Sequence, residues 1–465
     1  MTSQIHKNGD MTEPRFAANR RMILNAFSMN CVSHIQQGLW VREDSRQTEY
    51  LQLEPWLELA RIAEAGCLDS LFLADVVGLY DNYQGSADTS FRQAVQVPVN
   101  DPMLLIPAMA TVTEQLSFAF TSSVLQAHPF TFARQLSTLD HLTKGRIAWN
   151  VVTSYLPNAG SNLGFDGLPD HKERYARAEE YLEVVYKLCE GSWSDDAVII
   201  DRSEHVYADP TKVRQINHRG PRYEVQGPHL SEPSPQRTPV LFQAGMSDRG
   251  RDFASSNAEC IFVVTSTSGV AALRRDFEKR LNSRNRSISE VKFIGGVAPI
   301  VGGTEKEAID KKNDYLEQLS VEGGLVHMSG NIGVDLGDID PSTPLDGFDT
   351  ERVQGLIKNL IDSAPPGTRT FGDLIRSNLA GAWLVGSDEQ VANELQNRFD
   401  AGLDGFNLTY SITPGTFVDF IDGVLPILQK RGLAQSEYTP GTFREKLFGY
   451  PRLPLSHPAT VHRQP

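Results

Sequence analysis

The stretch Ile147-Ala148-Trp149-Asn150-Val151-Val152-Thr153-Ser154 decides the fold, because it passes from an apolar strand directly into polar residues. Isoleucine, tryptophan and valine favour a strand that is buried on both faces, as the strands of parallel sheets are. The polar residues then bring donors and acceptors to the carboxyl end of the strand, where α/β folds bind their ligands. Three further segments end in the same way, and these are 71–75, 119–123 and 240–245. The four endings together predict one ligand-binding rim.

Strand and helix patterns alternate about eight times between residues 22 and 431, with short returns at one end and long loops at the other. This alternation predicts a single α/β domain, a (β/α)8 TIM barrel, with its insertions at the carboxyl face of the strands. A doubly wound sheet would alternate similarly. However, no Gly-x-Gly-x-x-Gly follows the first strand, so a dinucleotide-binding fold lacks its main support.

Two segments interrupt the alternation, and both are predicted to be insertions. Residues 191–236 are proline-rich and irregular, whereas residues 321–382 contain glycine- and proline-rich runs around a helical pattern at 350–362. We expect the second insertion to act as a lid. The polar residues 1–21 are expected to form a flexible arm. Residues 432–465 are expected to be a C-terminal extension that packs on the surface or on a second subunit.

The composition is that of a globular enzyme with a large core. Of 465 residues, 40% are hydrophobic and 22% are charged. The formal net charge of −14 argues against binding to nucleic acid or to an anionic membrane surface. No apolar run approaches the roughly 18 residues of a membrane span. The four cysteines have no disulfide-framework spacing and fit a reducing compartment, so we expect a cytoplasmic protein.

The motif Gly245-Met246-Ser247-Asp248-Arg249-Gly250 is a candidate anion site. It follows a predicted strand and opens a predicted helix over 248–257, where free N–H groups and the helix dipole favour a negative charge. Ordinary N-capping by Ser247 or Asp248 explains the same residues without a ligand. On this motif alone both interpretations stay open. The hydrolase motif Gly-x-Ser-x-Gly fails here, because Arg249 occupies the position of its second glycine.

Cys31 and His34 lie three residues apart, just after the first strand. Zinc is not expected, because no second pair of ligands lies at the required spacing. A Cys–His nucleophile pair, as in an acyltransferase, remains an alternative, as does a buried cysteine beside a hydrogen-bonded histidine. His327 is predicted to lie in a loop of the second insertion, which would bring it to the substrate if the insertion closes over the barrel. The long loop over 76–101 is a candidate wall of the same pocket.

Several segments resemble the bacterial-luciferase-like flavin monooxygenases, in the group that includes nitrilotriacetate, dibenzothiophene-sulfone and long-chain alkane monooxygenases. The resemblance runs from about residue 22 to residue 449 and rests on the segments 72–75, 137–146, 150–154, 174–175 and 243–245. Within the group, similarity to the long-chain alkane monooxygenases rests on the segments 25–34, 75–80, 98–102, 232–239 and 414–420.

The resemblance implies an enzyme that takes reduced FMN from a separate NAD(P)H-dependent flavin reductase and reacts it with O2. The residues that it places at the cofactor are Asp75, Thr121, Asn150, Thr153, Ser154, Tyr175, Ala244, Gly245, Met246 and Ser247. The candidate catalytic residues, which it places on the substrate side, are Cys31, His34, Tyr80, Tyr155 and His327. The family likeness also implies a homodimer or homotetramer.

Position 155 departs from the alkane-enzyme pattern, which has histidine where this chain has Tyr155. A phenol with a pKa near 10 is not a base at neutral pH, as an imidazole is. We expect a small, largely apolar substrate, and one hypothesis is the terminal hydroxylation of a long-chain alkane. The alternative is oxidative C–N or C–S cleavage of a heteroaromatic, as by a riboflavin lyase or an aryl-sulfone monooxygenase. A third hypothesis is a flavin-binding protein without catalysis.

Overall fold

The protein is a closed barrel of parallel strands, and the computed structural model describes residues 20–346, 361 and 364–463. The strands of the main sheet are β1 (Ile23–Met29), β2 (Ser70–Ala74), β3 (Ser117–Ser123), β4 (Ile147–Val152), β5 (Val240–Gln243), β6 (Cys260–Val263), β7 (Lys292–Gly302), β8 (Trp383–Ser387) and β9 (Gly405–Thr409). Their order is β6-β5-β4-β3-β2-β1-β9-β7-β8, and an additional β6–β7 pairing closes the barrel. Strand β8 only extends the free end of β7. The prediction of a (β/α)8 TIM barrel is confirmed.

Helices surround the strands. The α-helices of the described residues are α1 (Glu54–Ala65), α2 (Asp88–Gln93), α3 (Ile106–Ala110), α4 (Pro129–Leu142), α5 (Pro157–Asn162), α6 (His171–Tyr186), α7 (Asp248–Asn257), α8 (Val270–Asn282), α9 (Glu305–Gln318), α10 (Val321–Ile332), α11 (Phe371–Leu379), α12 (Asp388–Asp400), α13 (Gly415–Asp419), α14 (Leu425–Lys430) and α15 (Phe443–Phe448). Apolar side chains between the strands and these helices form the largest core cluster. Helix α7 has the bounds that its capping residues predict.

The C-terminal extension closes the amino end of the barrel instead of only packing on its surface. Phe443 and Leu447 of α15 join the apolar layer inside the barrel, together with Phe72 and Phe242. Arg444 is fully buried and forms a bidentate ion pair with Glu259, with N–O distances of 2.7 and 2.9 Å. The extension therefore completes the interior that the strands enclose.

The second insertion contains two helices that the sequence reading placed in loops. Helix α10 spans the glycine pair 323–324, and α11 packs against it. A Cβ atom on Gly324 would lie 2.4 Å from the Ile375 side chain, so glycine is present here because two helices approach closely. Apolar side chains of α10, α11 and the loop over 76–101 share a separate core cluster. This cluster holds the insertion over the carboxyl ends of the strands. The helical pattern at 350–362 lies largely outside the described residues.

Smaller elements also differ from the sequence prediction. The loop over 76–101 contains α2, and the first insertion contains two short hairpins, Val198–Asp201 with Val206–Ala208 and His218–Arg219 with Glu224–Val225. Most of the predicted arm, residues 1–19, lies outside the described part of the chain. Within the described ranges, no helix is long and apolar enough to cross a bilayer.

Candidate active site

A cavity of about 400 Å³ opens at the carboxyl ends of β2, β3, β4 and β5. We call it the cofactor cavity. The sequence-predicted residues that line it are Asp75, Thr121, Thr153, Ser154, Tyr155, Tyr175, Ala244, Gly245, Met246 and Ser247. Asn150 does not line it, since its side-chain amide donates a 3.0 Å hydrogen bond to Thr121 from behind. The four strand endings therefore form one rim, as the sequence predicts.

One end of the cofactor cavity is built to receive an anion. Ser247 caps α7 by accepting a 3.0 Å hydrogen bond from the amide of Gly250, so the positive end of the helix dipole faces the cavity. Arg174 and Tyr175 of α6 line the same wall. The buried Nε of Arg174 has no hydrogen-bond partner among the described residues. A Cβ on Gly245 would lie 2.4 Å from the Tyr175 hydroxyl, so the backbone approaches α6 as closely as only glycine allows.

The other end of the cofactor cavity carries neutral and weakly acidic groups. Burial raises the pKa of Asp75 to about 6, although Gln126 donates a 3.3 Å hydrogen bond to its carboxylate. The buried Oε1 of Gln243, which lies beside Tyr175 nearer the anion end, has no hydrogen-bond partner within the described structure. Ser154 has a φ of 61° and donates a 2.8 Å hydrogen bond to Ser123. A left-handed serine is a strained backbone state of the kind that clusters at functional sites.

Tyr155 connects this cavity to a set of polar side chains that we call the polar cluster, which consists of His34, Tyr80, Gln96, Tyr155 and His327. The Tyr80 and Tyr155 hydroxyls are hydrogen-bonded to each other, and Tyr80 also donates a 3.1 Å hydrogen bond to Gln96. The Gln96 amide donates to the carbonyl oxygen of His34 at 2.7 Å and lies 3.4 Å from Nε2 of His327. Four of the five candidate catalytic residues therefore meet in one place.

Both histidines of the polar cluster are neutral at physiological pH. Burial lowers the pKa of His34 to about 3, with a smaller contribution from the nearby His327, and burial alone lowers the pKa of His327 to about 4. Nδ1 of His34 is buried without a partner in the described chain. His327 lies on α10 and not in the loop that the sequence predicted. The pair can donate and accept hydrogen bonds, but it does not supply a positive charge.

Cys31 faces away from the polar cluster. Its thiol donates a 3.2 Å hydrogen bond to the carbonyl oxygen of Ser33 and lines a separate small pocket with Tyr50 and Tyr410. Burial raises the pKa of the thiol well above its usual range. A thiolate nucleophile is therefore disfavoured, which removes the physical support for the Cys–His acyltransferase hypothesis.

The list of predicted site residues omits several residues that the structure places at the site, and four of these bear on its chemistry. His171, Arg174 and Gln243 line the cofactor cavity, and Gln96 holds the polar cluster together. Three of them had partial indications in the sequence. Gln243 ends a predicted strand, and His171 and Arg174 follow Asp170, which caps α6. Gln96 stands in no pattern, because its position depends on the path of the loop over 76–101.

Comparison with known proteins decides the family. The sequence profile of the luciferase-like monooxygenases matches residues 31–405. The chain belongs to the luciferase-like monooxygenase family. It is a flavin-dependent monooxygenase of the two-component kind, which uses a reduced flavin and O2 together with a separate reductase.

Two curated relatives cover nearly the whole chain. The long-chain alkane monooxygenase of Geobacillus thermodenitrificans is 49% identical over 96% of this chain and 98% of its own length. The dimethyl-sulfide monooxygenase of Hyphomicrobium sulfonivorans is 45% identical over 96% of this chain and 94% of its own.

Two solved structures align with nearly the whole chain. The crystal structure of a long-chain alkane monooxygenase aligns with a TM-score of 0.87 at 47% identity, covering 95% of this chain and 99% of that one. A riboflavin lyase, solved with modified FMN and riboflavin, aligns with a TM-score of 0.86 at 34% identity, covering 96% and 100%.

Proposed function

We propose that this monooxygenase uses FMN to oxidise a long, largely apolar substrate, with terminal hydroxylation of a long-chain alkane as the leading reaction. The observation that carries the proposal is the junction of the cofactor cavity with the neutral polar cluster at Tyr155. The alkane relative, at 49% identity, supports the substrate class. The riboflavin lyase, whose structure contains modified FMN, supports the cofactor.

The residues of the cofactor cavity fit FMN. A phosphate requires donors and positive charge, and the amino end of α7, Ser247, Tyr175 and Arg174 offer both at one end of the cavity. At the other end, the amide of Gln126 beside Asp75 suits the polar edge of a flavin ring. Val76, Val77 and Val151 among the lining residues supply apolar contact. When bound, the reduced flavin supplies the electrons and activates O2.

The polar cluster performs the tasks that remain for the protein. Its uncharged side chains offer hydrogen bonds at fixed positions without adding a net charge to the site. We assign His34 and His327 to hydrogen bonding at the reacting atoms, and Tyr80 and Tyr155 to positioning the substrate. Cys31 supports the loop that carries His34. Because Tyr155 bonds to Tyr80, its hydroxyl orients that pair instead of acting as a base.

The test is product analysis by mass spectrometry under ¹⁸O2, with FMN and a flavin reductase. The panel contains a long-chain alkane, a dialkyl sulfide, an aryl sulfone and riboflavin. A labelled terminal alcohol supports the proposal. Label in a sulfoxide, or cleavage beside a heteroatom, with an untouched alkane would contradict the substrate assignment, and no FMN-dependent product from any compound would contradict the function as a whole.

We also propose a homo-oligomer located in the cytoplasm. The hairpin of the first insertion exposes Ile199, Ile200 and Tyr207, each by more than half, which suits burial against a second subunit. All four cysteines are free, as in a reducing compartment. Light scattering of the purified enzyme tests the oligomer, and a single monomeric species would contradict it.

A further inference from the structure

A second cavity, of about 540 Å³, lies across the barrel mouth from the cofactor cavity. The two cavities share no lining residue within the described chain. We call the second cavity the side channel. It is lined on the inner side by Phe27, Phe262, Gly296 and Thr409, and on the outer side by Val270 and Leu403. Lining residues from both faces of the barrel wall indicate a passage through the wall.

The register of β7 explains how the wall opens. Strand β7 pairs with β6 only as far as Val263 and Gly295, and it pairs with β8 only from Ala298 and Trp383 onward. Strands β6 and β8 therefore lie along the same edge of β7, and in the described structure residues 296–297 have no neighbouring strand on this edge. The barrel therefore has a gap in its hydrogen-bonded wall at this level.

Two glycines keep the gap clear of side chains. Successive residues of a strand point to opposite faces, so Gly296 faces the interior and Gly295 faces the surrounding helices. A Cβ on Gly296 would lie 3.1 Å from the Phe262 ring, and a Cβ on Gly295 would lie 2.9 Å from a methyl group of Leu403. Any larger residue at either position would narrow the passage.

The inner end of the side channel reaches the polar cluster. The Phe27 ring lies 4.9 Å from the ring of His34, measured between centroids, and Ile35 follows in the same wall. The outer end opens beside an exposed loop at residues 264–268. Of the described lining residues, only Arg398 is ionisable, and Glu394 pairs with it at 2.8 Å. The passage therefore connects the reaction site to the surface through mostly apolar surroundings.

We propose that the side channel binds the alkyl chain of a long, unbranched substrate and places the end to be oxidised at Phe27, beside the polar cluster. The inference rests on the proposed function and adds the site that selects chain length. Cavities of roughly 300–1,000 Å³ hold drug-sized ligands, so a volume of 540 Å³ suits a long chain. A dialkyl sulfide of a few heavy atoms would leave most of this space empty.

Chain-length dependence tests the proposal. Each methylene removed from water is worth about fourfold in affinity, so blocking several methylene sites reduces kcat/KM for a long chain by about tenfold or more. We expect this loss in Gly296→Val for a long alkane, with unchanged FMN binding and unchanged turnover of a short alkane. Gly303→Val is the matched control, since Gly303 is exposed just beyond the end of β7. Equal losses for long and short chains would overturn the proposal.

Two further variants keep the test decisive if Gly296→Val does not fold. Thr409→Ile narrows the channel from the facing strand, and Phe262→Ala widens it at its inner end. We expect the first to shift the preferred substrate to shorter chains and the second to longer ones. An unchanged chain-length preference in both variants would overturn the proposal.

Crystals of the wild-type enzyme soaked with 1-bromododecane separate this inference from the proposed function. Bromine located by its anomalous scattering inside the side channel supports the binding site, even if no alkane is oxidised. Bromine found only in the cofactor cavity or on the surface overturns it. If alkane turnover is observed with bromine only outside the channel, the function stands and the channel assignment falls.

Discussion

At the residue scale, a variant of Arg174 distinguishes binding of the flavin phosphate from binding of the flavin ring. Arg174 lines the anion end of the cofactor cavity, so Arg174→Gln should weaken FMN binding by about 10- to 100-fold, the worth of one charge-assisted hydrogen bond. Riboflavin, which lacks the phosphate, should bind equally well to both forms. Arg61→Gln is the control, because Arg61 lies on α1, does not line the cofactor cavity and pairs with Glu54 at 3.0 Å. A flavin fluorescence titration that shows equal losses for FMN and riboflavin would refute the assignment.

The hydroxyl of Tyr155 gives a second prediction. Tyr155→Phe removes the hydrogen bond to Tyr80, and a net hydrogen bond is worth about 1 kcal/mol, so kcat should fall roughly fivefold with FMN affinity unchanged. Tyr83 lies in the same loop as Tyr80 but outside the polar cluster, so the Tyr83→Phe variant should have wild-type kcat. A Tyr155→Phe enzyme with unaltered kcat would exclude the hydroxyl from positioning.

Asp75 gives a prediction for the pH dependence of stability. Its folded pKa of about 6 lies above the ordinary value of 3.8, so folding stabilises the protonated carboxyl relative to the carboxylate. The Asp75 carboxylate therefore destabilises the folded protein above about pH 6, and this destabilisation disappears as the pH falls below 4. Asp75→Asn should therefore raise the free energy of unfolding by at most about 3 kcal/mol near pH 7.5, with a smaller gain near pH 4. Denaturant titrations of the flavin-free protein at several pH values measure this difference, and a gain independent of pH would contradict it.

At the element scale, α10 controls the position of Tyr80. A Cβ on Gly330 would lie 2.1 Å from the Tyr80 ring, so Gly330→Ala should displace the ring and lower kcat while FMN binding persists. Gly415→Ala is the control, since its Cβ meets only Ile412, at 3.6 Å or more. Stopped-flow or steady-state turnover with preloaded FMN distinguishes the two. Equal activity of both variants would show that α10 does not position the polar cluster.

The same element shows where the sequence is informative and where it is not. The bounds of β4 and α7 follow from local signals, namely the strand-favouring residues on either side of Asn150 and the capping by Ser247. Helix α10 was missed, because the glycine pair at 323–324 resembles a turn, whereas Gly324 is required by the close contact with α11. Likewise, the cofactor residues at strand ends were predicted from position, whereas Gln96 joins the polar cluster through tertiary contacts alone.

At the scale of the whole molecule, the two ends of the barrel have different tasks. The carboxyl end keeps unpartnered polar atoms such as Oε1 of Gln243 and Nε of Arg174, which lowers its contribution to stability. The amino end is closed by α15 and has Arg444 satisfied by Glu259 and by the carbonyl oxygen of Thr238 at 2.8 Å. The stable end therefore holds the strands in register while the other end keeps free groups for ligands.

This difference between the two ends predicts that the closure of the amino end by α15 determines stability and does not affect catalysis. Arg444→Ala leaves the buried carboxylate of Glu259 unpaired, and breaking a buried pair costs about 3–5 kcal/mol. The Lys306→Ala variant breaks a pair whose lysine is 85% exposed, so its effect should stay below about 1 kcal/mol. Glu259 also accepts a hydrogen bond from the backbone amide of Leu241 in β5. Loss of the Arg444 side chain should therefore destabilise the sheet at its amino end. Denaturant midpoints measure the difference, and kcat below the transition should match the wild type. A fall in kcat that precedes unfolding would mean that the two ends of the barrel are coupled.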